Sequence, residues 1–350
     1  MDTPPLYFYF PYELRRDLVG IERMSEQELW KLLAQHRIGR MGVAHWVVQT
    51  YYFLVKNGTP CSLIDTPVDR GIIFTHRDCL PLPIEDLRLM AGRRRTVCCM
   101  QVDRKHRYSL SDFTIVHNPL DERLDQQEVY VPPWPQIALK PRSEERGNTV
   151  RTVGYIGNPE QLDPYFTSAS WRKFLDRHGL RFVVKRGEEW NDFTDLDVLI
   201  GVRSFDTPSS LIPKPALKLF NAWSAGVPIL LTQEPSYTHY QTDEYDYVEV
   251  STIDTLEVAL SRLVSQPEVY QTYRLRCKER AATMSHATVL NWWKRALNDI
   301  IIPHHQRKSY LFVGRKRMDY YYKTGRRYFV HRTALGSLLA RVKKRVLGQV

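Results

Sequence analysis

The stretch of sequence that decides the fold reads Lys214-Pro-Ala-Leu-Lys-Leu-Phe-Asn-Ala-Trp-Ser-Ala-Gly-Val-Pro228, followed by Ile229-Leu-Leu-Thr232. Pro215 suits the first position of a helix, where its missing N–H costs nothing, and Gly226 suits the left-handed residue just past a helix end. The apolar run after Pro228 predicts a buried parallel strand. A helix that leads directly into a buried strand is the repeating unit of an α/β sheet.

Two lysines lie near the start of this predicted helix. Lys214 and Lys218 share a polar face with Asn221, and each cation there is disfavoured by roughly 0.3–1 kcal/mol because a helix N-terminus carries partial positive charge. Such a site would gain from a bound anion, and phosphate is the usual one. The alternative is two solvated lysines on an exposed helix, and these residues alone do not decide between the two.

The same alternation of short apolar strands and helical segments extends through most of the chain and predicts an α/β fold. It stops at the proline-rich run Pro132-Pro-Trp-Pro135 and then starts again. We therefore predict two Rossmann-like, doubly wound domains that face a cleft, the usual place for a small-molecule site. The predicted parts are a first domain at residues 1–139, a linker at 140–148, a second domain at 149–302 and a basic helical tail at 303–350.

The net charge of +11 is concentrated in that tail. Residues 303–350 contain 13 Lys and Arg against one acid, Asp319, whereas residues 1–302 are nearly neutral. The end of the tail combines an apolar stripe with basic side chains, which predicts an amphipathic helix at an anionic membrane surface. Nucleic-acid binding is less favoured because the apolar stripe is continuous, and packing against the first domain is a further alternative. The stripe consists of Leu335, Leu338, Leu339, Val342 and Val346.

The cysteine pattern indicates a cellular compartment. The five cysteines form an odd set without metal-ligand spacing, which fits a reducing cytoplasm. No apolar run is long enough to span a bilayer, and residues 1–5 lack the pattern of a secretory signal. We therefore expect a cytoplasmic protein that rests on the inner face of a membrane.

The second half carries a motif with a family resemblance. Asn221-Ala-Trp-Ser-Ala-Gly-Val-Pro228, which leads into a predicted strand, resembles the Glu-Ala-x-Ala-x-Gly-x-Pro signature of GT-B-fold glycosyltransferases of the group-1/group-4 type. In that family the signature lies beside the ribose and diphosphate of a nucleotide-sugar donor. The Pro132–Pro135 run is similar to the crossover between the two domains of such enzymes. The resemblance implies a GT-B fold and sugar transfer from a nucleotide-sugar substrate, with no further cofactor and no metal.

The donor motif departs from the family pattern. Retaining members place one glutamate at the start of the signature and another eight residues earlier, where this chain has Asn221 and Pro213. The choice between retention and inversion therefore stays open. The resemblance implies that Lys214 and Lys218 bind the diphosphate, while Asn221 and Glu234 contact ribose or sugar hydroxyls.

Two further positions complete the predicted donor site. The turn Gly154-Tyr-Ile-Gly157 could bring backbone N–H groups near the phosphates, although it could simply be a strand end. Arg203 follows a predicted strand, and open α/β sheets bind ligands at the carboxyl ends of their strands. A solvated loop arginine is the alternative. Asp195-Leu-Asp197 has the form of a metal site, but it opens a predicted strand, so we expect capping there and predict no metal.

Catalysis needs a group on the acceptor side of the cleft. His76 and Asp78 follow a predicted strand of the first half, and His76 titrates nearest neutral pH, so it is the predicted base with Asp78 orienting it. A histidine that caps the turn is the alternative interpretation. The predicted function is glycosyl transfer to a glycan or lipid-linked acceptor, as in polysaccharide biosynthesis. A non-catalytic GT-B-like scaffold, a nucleic-acid-binding protein and a nucleotide-sugar epimerase remain the alternatives.

Overall fold

The first half of the chain forms a six-stranded parallel sheet in the order β2-β1-β3-β4-β5-β6. The computed structural model describes residues 3–11, 18–35, 41–80, 94–102, 108, 111–205 and 214–307. Most of these strand residues are buried, as expected for a parallel sheet covered on both faces. The strands are β1 Leu6–Tyr9, β2 Cys61–Ile64, β3 Arg70–His76, β4 Arg94–Met100, β5 Phe113–Val116 and β6 Glu128–Tyr130.

The second half forms a five-stranded parallel sheet in the order β11-β10-β9-β7-β8. In both sheets the chain first adds a strand on one side of its starting strand and then crosses to the other side. Each sheet therefore has a topological switch point, between β1 and β3 and between β7 and β9. These two sheets confirm the predicted α/β fold class. The strands are β7 Thr152–Ile156, β8 Arg181–Lys185, β9 Val198–Ile200, β10 Ile229–Leu231 and β11 Val248–Glu249.

Helices connect and cover the strands. Ser25 starts α1 with a capping box, since its backbone N–H donates to the Glu28 carboxylate and the Glu28 N–H donates back to its hydroxyl. A π-helical turn at Ala296–Ile301 joins the last two helices into one segment. The described helices are α1 Glu26–Gln35, α2 Met41–Lys56, α3 Ala169–His178, α4 Leu217–Ala225, α5 Pro235–Thr238, α6 Ile253–Ser265, α7 Pro267–Thr283, α8 His286–Arg295 and α9 Ile302–Arg307.

Helix α4 and strand β10 form the helix–strand unit predicted from residues 214–232. The helix ends as predicted, because Gly226 adopts the left-handed conformation at φ 68° and its N–H caps the last turn. Its start differs from the prediction: Ala216 is the N-cap and Leu217 the first helical residue. Pro215 therefore precedes the helix and lies in the wall of a cavity instead.

The segment predicted as a linker lies on the second half of the chain. The backbone N–H of Arg142 donates to the Ala225 carbonyl, and the N–H of Ser143 donates to the Thr194 carbonyl, each at 3.0 Å. The Arg142 side chain is buried and pairs with Asp197 at 2.7 Å. Residues 140–148 thus contact the second half of the chain, and the predicted domain boundaries stay a prediction.

Asp197 is the centre of a closed charge cluster at the amino end of β9. Its carboxylate accepts hydrogen bonds from the guanidinium groups of Arg142 and Arg146 and from the backbone N–H groups of Arg151 and Thr152. Burial favours the neutral acid, but these hydrogen bonds outweigh it and hold the pKa of Asp197 below its usual value. The Asp197 carboxylate therefore serves the fold.

The last described helices return to the first half of the chain. Val289, Leu290, Trp293, Leu297 and Ile301 are buried in the same core as the first sheet. Residues 149–302 are predicted above as one second domain, because an apolar helical face does not reveal which sheet it covers.

The predicted membrane-binding stripe at residues 335–346 lies outside the described residues. Within the part of the chain that the structure describes, no helix is long and apolar enough to cross a membrane.

Candidate functional site

A cavity of about 310 Å³ lies between the two halves, at the switch point of the second sheet. The carboxyl ends of β7 and β9 and the start of α4 form one wall. The other wall comes from α2 and from residues 132–136, which we call the crossover segment. Open α/β sheets bind ligands at this place. Its polar lining residues are His45, Gln49, Gln136, Asn158, Gln161, Arg203, Lys218 and Asn221, and its aromatic ones are Trp46, Trp134, Tyr155, Trp190 and Phe193.

Lys218 lies in the first turn of α4 and reaches over the end of β7. Its Nζ atom donates to the Ile156 carbonyl at 2.8 Å and lies 4.0 Å from the centroid of the Tyr155 ring. Burial and the nearby Arg203 guanidinium lower the pKa of Lys218 to about 7, while Glu234 acts in the opposite direction. The ammonium group is thus a partly desolvated cation at the edge of the cavity.

Arg203 and Glu234 form an ion pair behind this lysine. Arg203 follows β9, Glu234 precedes α5, and the Arg203 Nη1 atom donates to Glu234 Oε2 at 2.8 Å. Glu234 is fully buried, and its Oε1 atom has no hydrogen-bond partner among the described residues. Burial raises the pKa of Glu234, although Arg203, Lys218 and Lys214 act to lower it. Lys218, Arg203 and Glu234 together form what we call the open cluster.

Gly157 allows Lys218 to approach the strand end. It follows β7 with φ 149°, and a Cβ atom added to it would lie 3.2 Å from Lys218 Nζ and 3.1 Å from the Tyr155 hydroxyl. Its backbone N–H donates to the Lys185 carbonyl at 3.2 Å. The contribution of Gly157 in this structure is therefore space beside the ammonium group, and the predicted phosphate contact of its turn stays a prediction.

Asn221 connects the second half to the crossover segment. Its Oδ1 atom accepts a hydrogen bond from the backbone N–H of Gln136 at 2.9 Å, and the residue lines the cavity. The amide nitrogen is not part of this bond, so it is the group of Asn221 that could contact a ligand. The predicted ribose contact stays a prediction.

Lys214, Glu234, His76 and Asp78 do not line this cavity. Lys214 precedes α4, which begins at Leu217, and its charge acts on Glu234. His76 ends β3 at the switch point of the first sheet, where its Nδ1 atom accepts from the backbone N–H of Asp78 at 3.1 Å. The Asp78 carboxylate lies 3.9 Å from Nδ1. The described hydrogen bond is thus the turn cap, and the catalytic roles of His76 and Asp78 stay predictions.

Helix α2 supplies site residues that the sequence analysis missed. His45 and Gln49 line the cavity and contact each other through Nδ1 and Oε1 at 3.0 Å. They are embedded in an apolar helix, where a histidine is not conspicuous. Their spacing of four residues, which brings side chains together on a helix, was the available signal.

Several polar atoms in the cavity wall have no hydrogen-bond partner in the part of the chain that the structure describes. His45 Nε2, Gln136 Nε2 and Trp190 Nε1 make no hydrogen bond with the described residues, although buried polar groups normally do. Aromatic walls with a few convergent polar atoms are typical of sites for small polar molecules. Within the described ranges, no group of three or more His, Cys, Asp or Glu side chains could hold a metal ion.

No protein-family model and no curated protein sequence matches the chain. Among solved structures, HepE from Anabaena in complex with UDP matches with a TM-score of 0.49 and 11% identity, over 85% of this chain and 100% of that one. Sucrose-phosphate synthase from Thermosynechococcus elongatus matches with a TM-score of 0.45 and 14% identity, over 78% and 79%. TarM matches with a TM-score of 0.47 and 12% identity, over 72% of this chain and 58% of that one.

The chain spans 58% of the length of TarM and 60% of that of the matching chain in the GtfA/B complex. At 11–14% identity, these likenesses concern the fold alone.

Proposed function

We propose that this protein is a glycosyltransferase that moves a sugar from a nucleotide-sugar donor to a hydroxyl-bearing acceptor in the cavity between its halves. The observation that supports this is the placement of Lys218 and Arg203, two cations at the carboxyl edge of a parallel sheet that line one cavity. A diphosphate is the part of a nucleotide sugar that needs such cations, both for binding and as the leaving group.

The contacts of Lys218 suit this role. An ammonium group has three N–H donors, and one of them is used by the Ile156 carbonyl. The remaining donors can contact phosphate oxygens, and the lowered pKa of about 7 reflects a charge that would gain from a bound anion. As the bond between sugar and diphosphate breaks, negative charge accumulates on the diphosphate, and Lys218 and Arg203 would stabilise it.

Calorimetric titration with a panel of nucleoside diphosphates tests the donor site. We expect at least one of them to bind, and we expect Lys218→Ala to weaken that binding about tenfold or more, as for loss of a charged hydrogen bond. Lys214→Ala should have a smaller effect because Lys214 does not line the cavity. Lys173→Ala, on the exposed face of α3, is the matched control.

Two results would count against the proposal: no binding of any nucleoside diphosphate, or binding that is unchanged in Lys218→Ala. Incubation with the sugar nucleotides of the bound base, with and without simple glycoside acceptors, then distinguishes transfer from epimerisation. An epimerase would convert the sugar nucleotide without an acceptor.

The acceptor is proposed to be a glycan or a lipid-linked sugar at an anionic membrane surface, which the basic residues 308–350 would contact. This part of the proposal is supported by the charge of the tail alone. His305 contacts Thr96 of the first sheet at 2.9 Å, so a truncation should end at Arg307 to preserve that contact. Equal binding of truncated and full-length protein to phosphatidylglycerol vesicles would refute the membrane role. A salt-sensitive gel shift with nucleic acid would favour the alternative partner.

A further inference from the structure

The wall of the cavity that comes from the first half carries a histidine held in a defined orientation. His45 lies in the second turn of α2, and its Nδ1 atom is 3.0 Å from Gln49 Oε1. The amide nitrogen of Gln49 in turn donates to the carbonyl oxygen of Pro135 at 2.9 Å. Gln49 is buried, as is the crossover segment around Pro135, so both bonds are shielded from water.

This chain of contacts fixes the proton on the imidazole ring. The Pro135 carbonyl can only accept a hydrogen bond, so the nitrogen of the Gln49 amide must face it and the oxygen must face His45. An amide oxygen also only accepts, so Nδ1 of His45 carries the hydrogen and Nε2 carries the lone pair. Nε2 has no hydrogen-bond partner among the described residues.

The surroundings keep the ring neutral. Burial lowers the pKa of His45, and the hydrogen bond to Gln49 offsets only part of this effect. The charged side chains that line the same cavity are Arg203 and Lys218, and both are cations. A neutral histidine with a free lone pair can accept a proton from a hydroxyl group.

We propose that His45 is the catalytic base that accepts the proton of the acceptor hydroxyl at Nε2, and that Gln49 is the positioning residue that holds its ring. The inference rests on the glycosyl transfer proposed above. The acceptor oxygen forms a bond to the anomeric carbon as its proton passes to Nε2. The bond between that carbon and the phosphate oxygen breaks, and its electron pair leaves with the diphosphate. The imidazolium then releases the proton to solvent.

The geometry favours His45 over His76 for this role. The Nδ1 lone pair of His76 already accepts the Asp78 N–H, so the neutral ring carries its hydrogen on Nε2. The Nδ1 lone pair of His76 is therefore already in a hydrogen bond, and His76 does not line the cavity. Gln136 Nε2 and Trp190 Nε1 line the same cavity as His45 and make no hydrogen bond with the residues that the structure describes, so these donors can hold other oxygens of the acceptor.

The first test needs no acceptor. Nitrogen NMR of the full chain labelled with ¹⁵N-histidine, assigned by comparison with His45→Gln, reports which ring nitrogen carries the hydrogen at pH 7. We expect the Nδ1–H tautomer for His45. In Gln49→Leu, which removes the hydrogen-bond acceptor of Nδ1–H, we expect a mixture of the two neutral tautomers. A neutral Nε2–H tautomer, or a protonated ring, would overturn the proposal.

The second test measures sugar transfer from the nucleotide sugar that binds, with methyl glycosides as acceptors. His45→Gln keeps a hydrogen-bonding side chain without a basic nitrogen, so kcat should fall about 100- to 10,000-fold. The Kd for the nucleoside diphosphate should stay within twofold, because the described hydrogen bond of His45 is to Gln49 and not to Lys218 or Arg203. His239→Gln, an exposed histidine, is the control for a histidine substitution as such. An unchanged kcat in His45→Gln, with normal nucleotide binding, would refute the role of His45 and leave the proposed function intact.

The third test addresses Gln49 as a positioning residue. Gln49→Glu places a carboxylate beside Nδ1–H, which favours the imidazolium and should move the acidic limb of the kcat/KM profile upward by about one pH unit or more. A purely structural role of Gln49 would lower activity at every pH without moving that limb, and this result would count against the proposal. Absence of nucleotide binding in the unmodified protein would instead refute the proposed function itself.

Discussion

Strand β9 has a buried charge cluster at each end, and the two clusters are built in opposite ways. At its amino end, Asp197 accepts hydrogen bonds on both carboxylate oxygens, and its pKa lies below the usual value. At its carboxyl end, Glu234 has one oxygen without a partner among the described residues, and its pKa is raised. The first cluster is complete within the chain. The second leaves one Glu234 oxygen without a described partner, and its two basic residues, Lys218 and Arg203, line the cavity.

The directions of the pKa shifts show how the two clusters differ in energy. In the Asp197 cluster, hydrogen bonds more than offset the loss of water, so the charged form is favoured. In the open cluster, burial dominates for both Glu234 and Lys218, and each is moved toward its neutral form. Groups that are left poorly solvated in a cavity are typical of functional sites, whereas fully bonded clusters serve the fold.

The largest effect on stability is expected for Asp197→Asn. The amide removes the charge that both arginines face, and a buried pair that loses one partner typically costs about 3–5 kcal/mol in unfolding free energy. Urea denaturation at pH 7 measures the loss. Asp176→Asn on the exposed face of α3 is the control and should change the unfolding free energy by less than about 0.5 kcal/mol. A loss as small as that of the control would show that the two clusters do not differ in the way described.

The second effect concerns the pH dependence of stability through Lys218. Its pKa in the folded protein is about 7, below the usual 10.5, so between these values the unfolded chain binds a proton that the folded chain does not. The unfolding free energy should therefore rise with pH from about 7 to 9, by up to about 1.4 kcal/mol per pH unit. The measurement is the difference in unfolding free energy, as a function of pH, between the unmodified protein and Lys218→Met, which lacks the titrating group. Parallel curves for the two proteins would contradict the lowered pKa.

A smaller effect is expected for Gly157→Ala. The positive φ and the contact with Lys218 Nζ both oppose a Cβ atom, and the combined cost should be about 1–2 kcal/mol in unfolding free energy. Nucleoside diphosphate binding should weaken as well, because the ammonium group must move. Gly179→Ala is the matched control, since Gly179 also has positive φ but has open space around it. The control should lose stability without losing nucleotide binding.

The smallest effect is expected for Glu234→Gln, which makes the same chemical change as Asp197→Asn in the other cluster. An amide oxygen can still accept from Arg203, and the raised pKa means that the carboxylate charge is held at a cost. We expect the unfolding free energy to change by about 1 kcal/mol or less. Thermal and urea denaturation of Glu234→Gln and of Asp197→Asn compare the two clusters directly. Similar losses in the two variants would remove the distinction between a closed and an open cluster.

Local signals in the sequence predicted the elements well and their partners less well. The end of α4 follows from Gly226, whose left-handed conformation few other residues adopt. This feature depends on residues within one helical turn. The return of residues 289–301 to the first sheet could not be predicted, since an apolar helical face fits either sheet equally well.

The residues of the candidate site likewise divide into those with a local signal in the sequence and those without one. Lys218 and Arg203 could be predicted because a helix start and a strand end are visible in the sequence. His45 could not, because its importance depends on Pro135, which is 90 positions away and supplies the carbonyl that orients Gln49. The hydrogen bond from the Gly157 N–H to the Lys185 carbonyl is likewise a contact between the ends of two strands, which no local sequence pattern reveals.

The return of α8 to the first sheet has a consequence for synthesis of the chain. Trp293 packs against Phe74 with ring centroids 5.8 Å apart, so the hydrophobic core of the first half is incomplete until residues near the end of the second half have left the ribosome. The second sheet can close as soon as its own strands emerge, although it is translated later. Folding order would then run against translation order, and a fragment that stops at residue 139 would expose the surface that α8 covers.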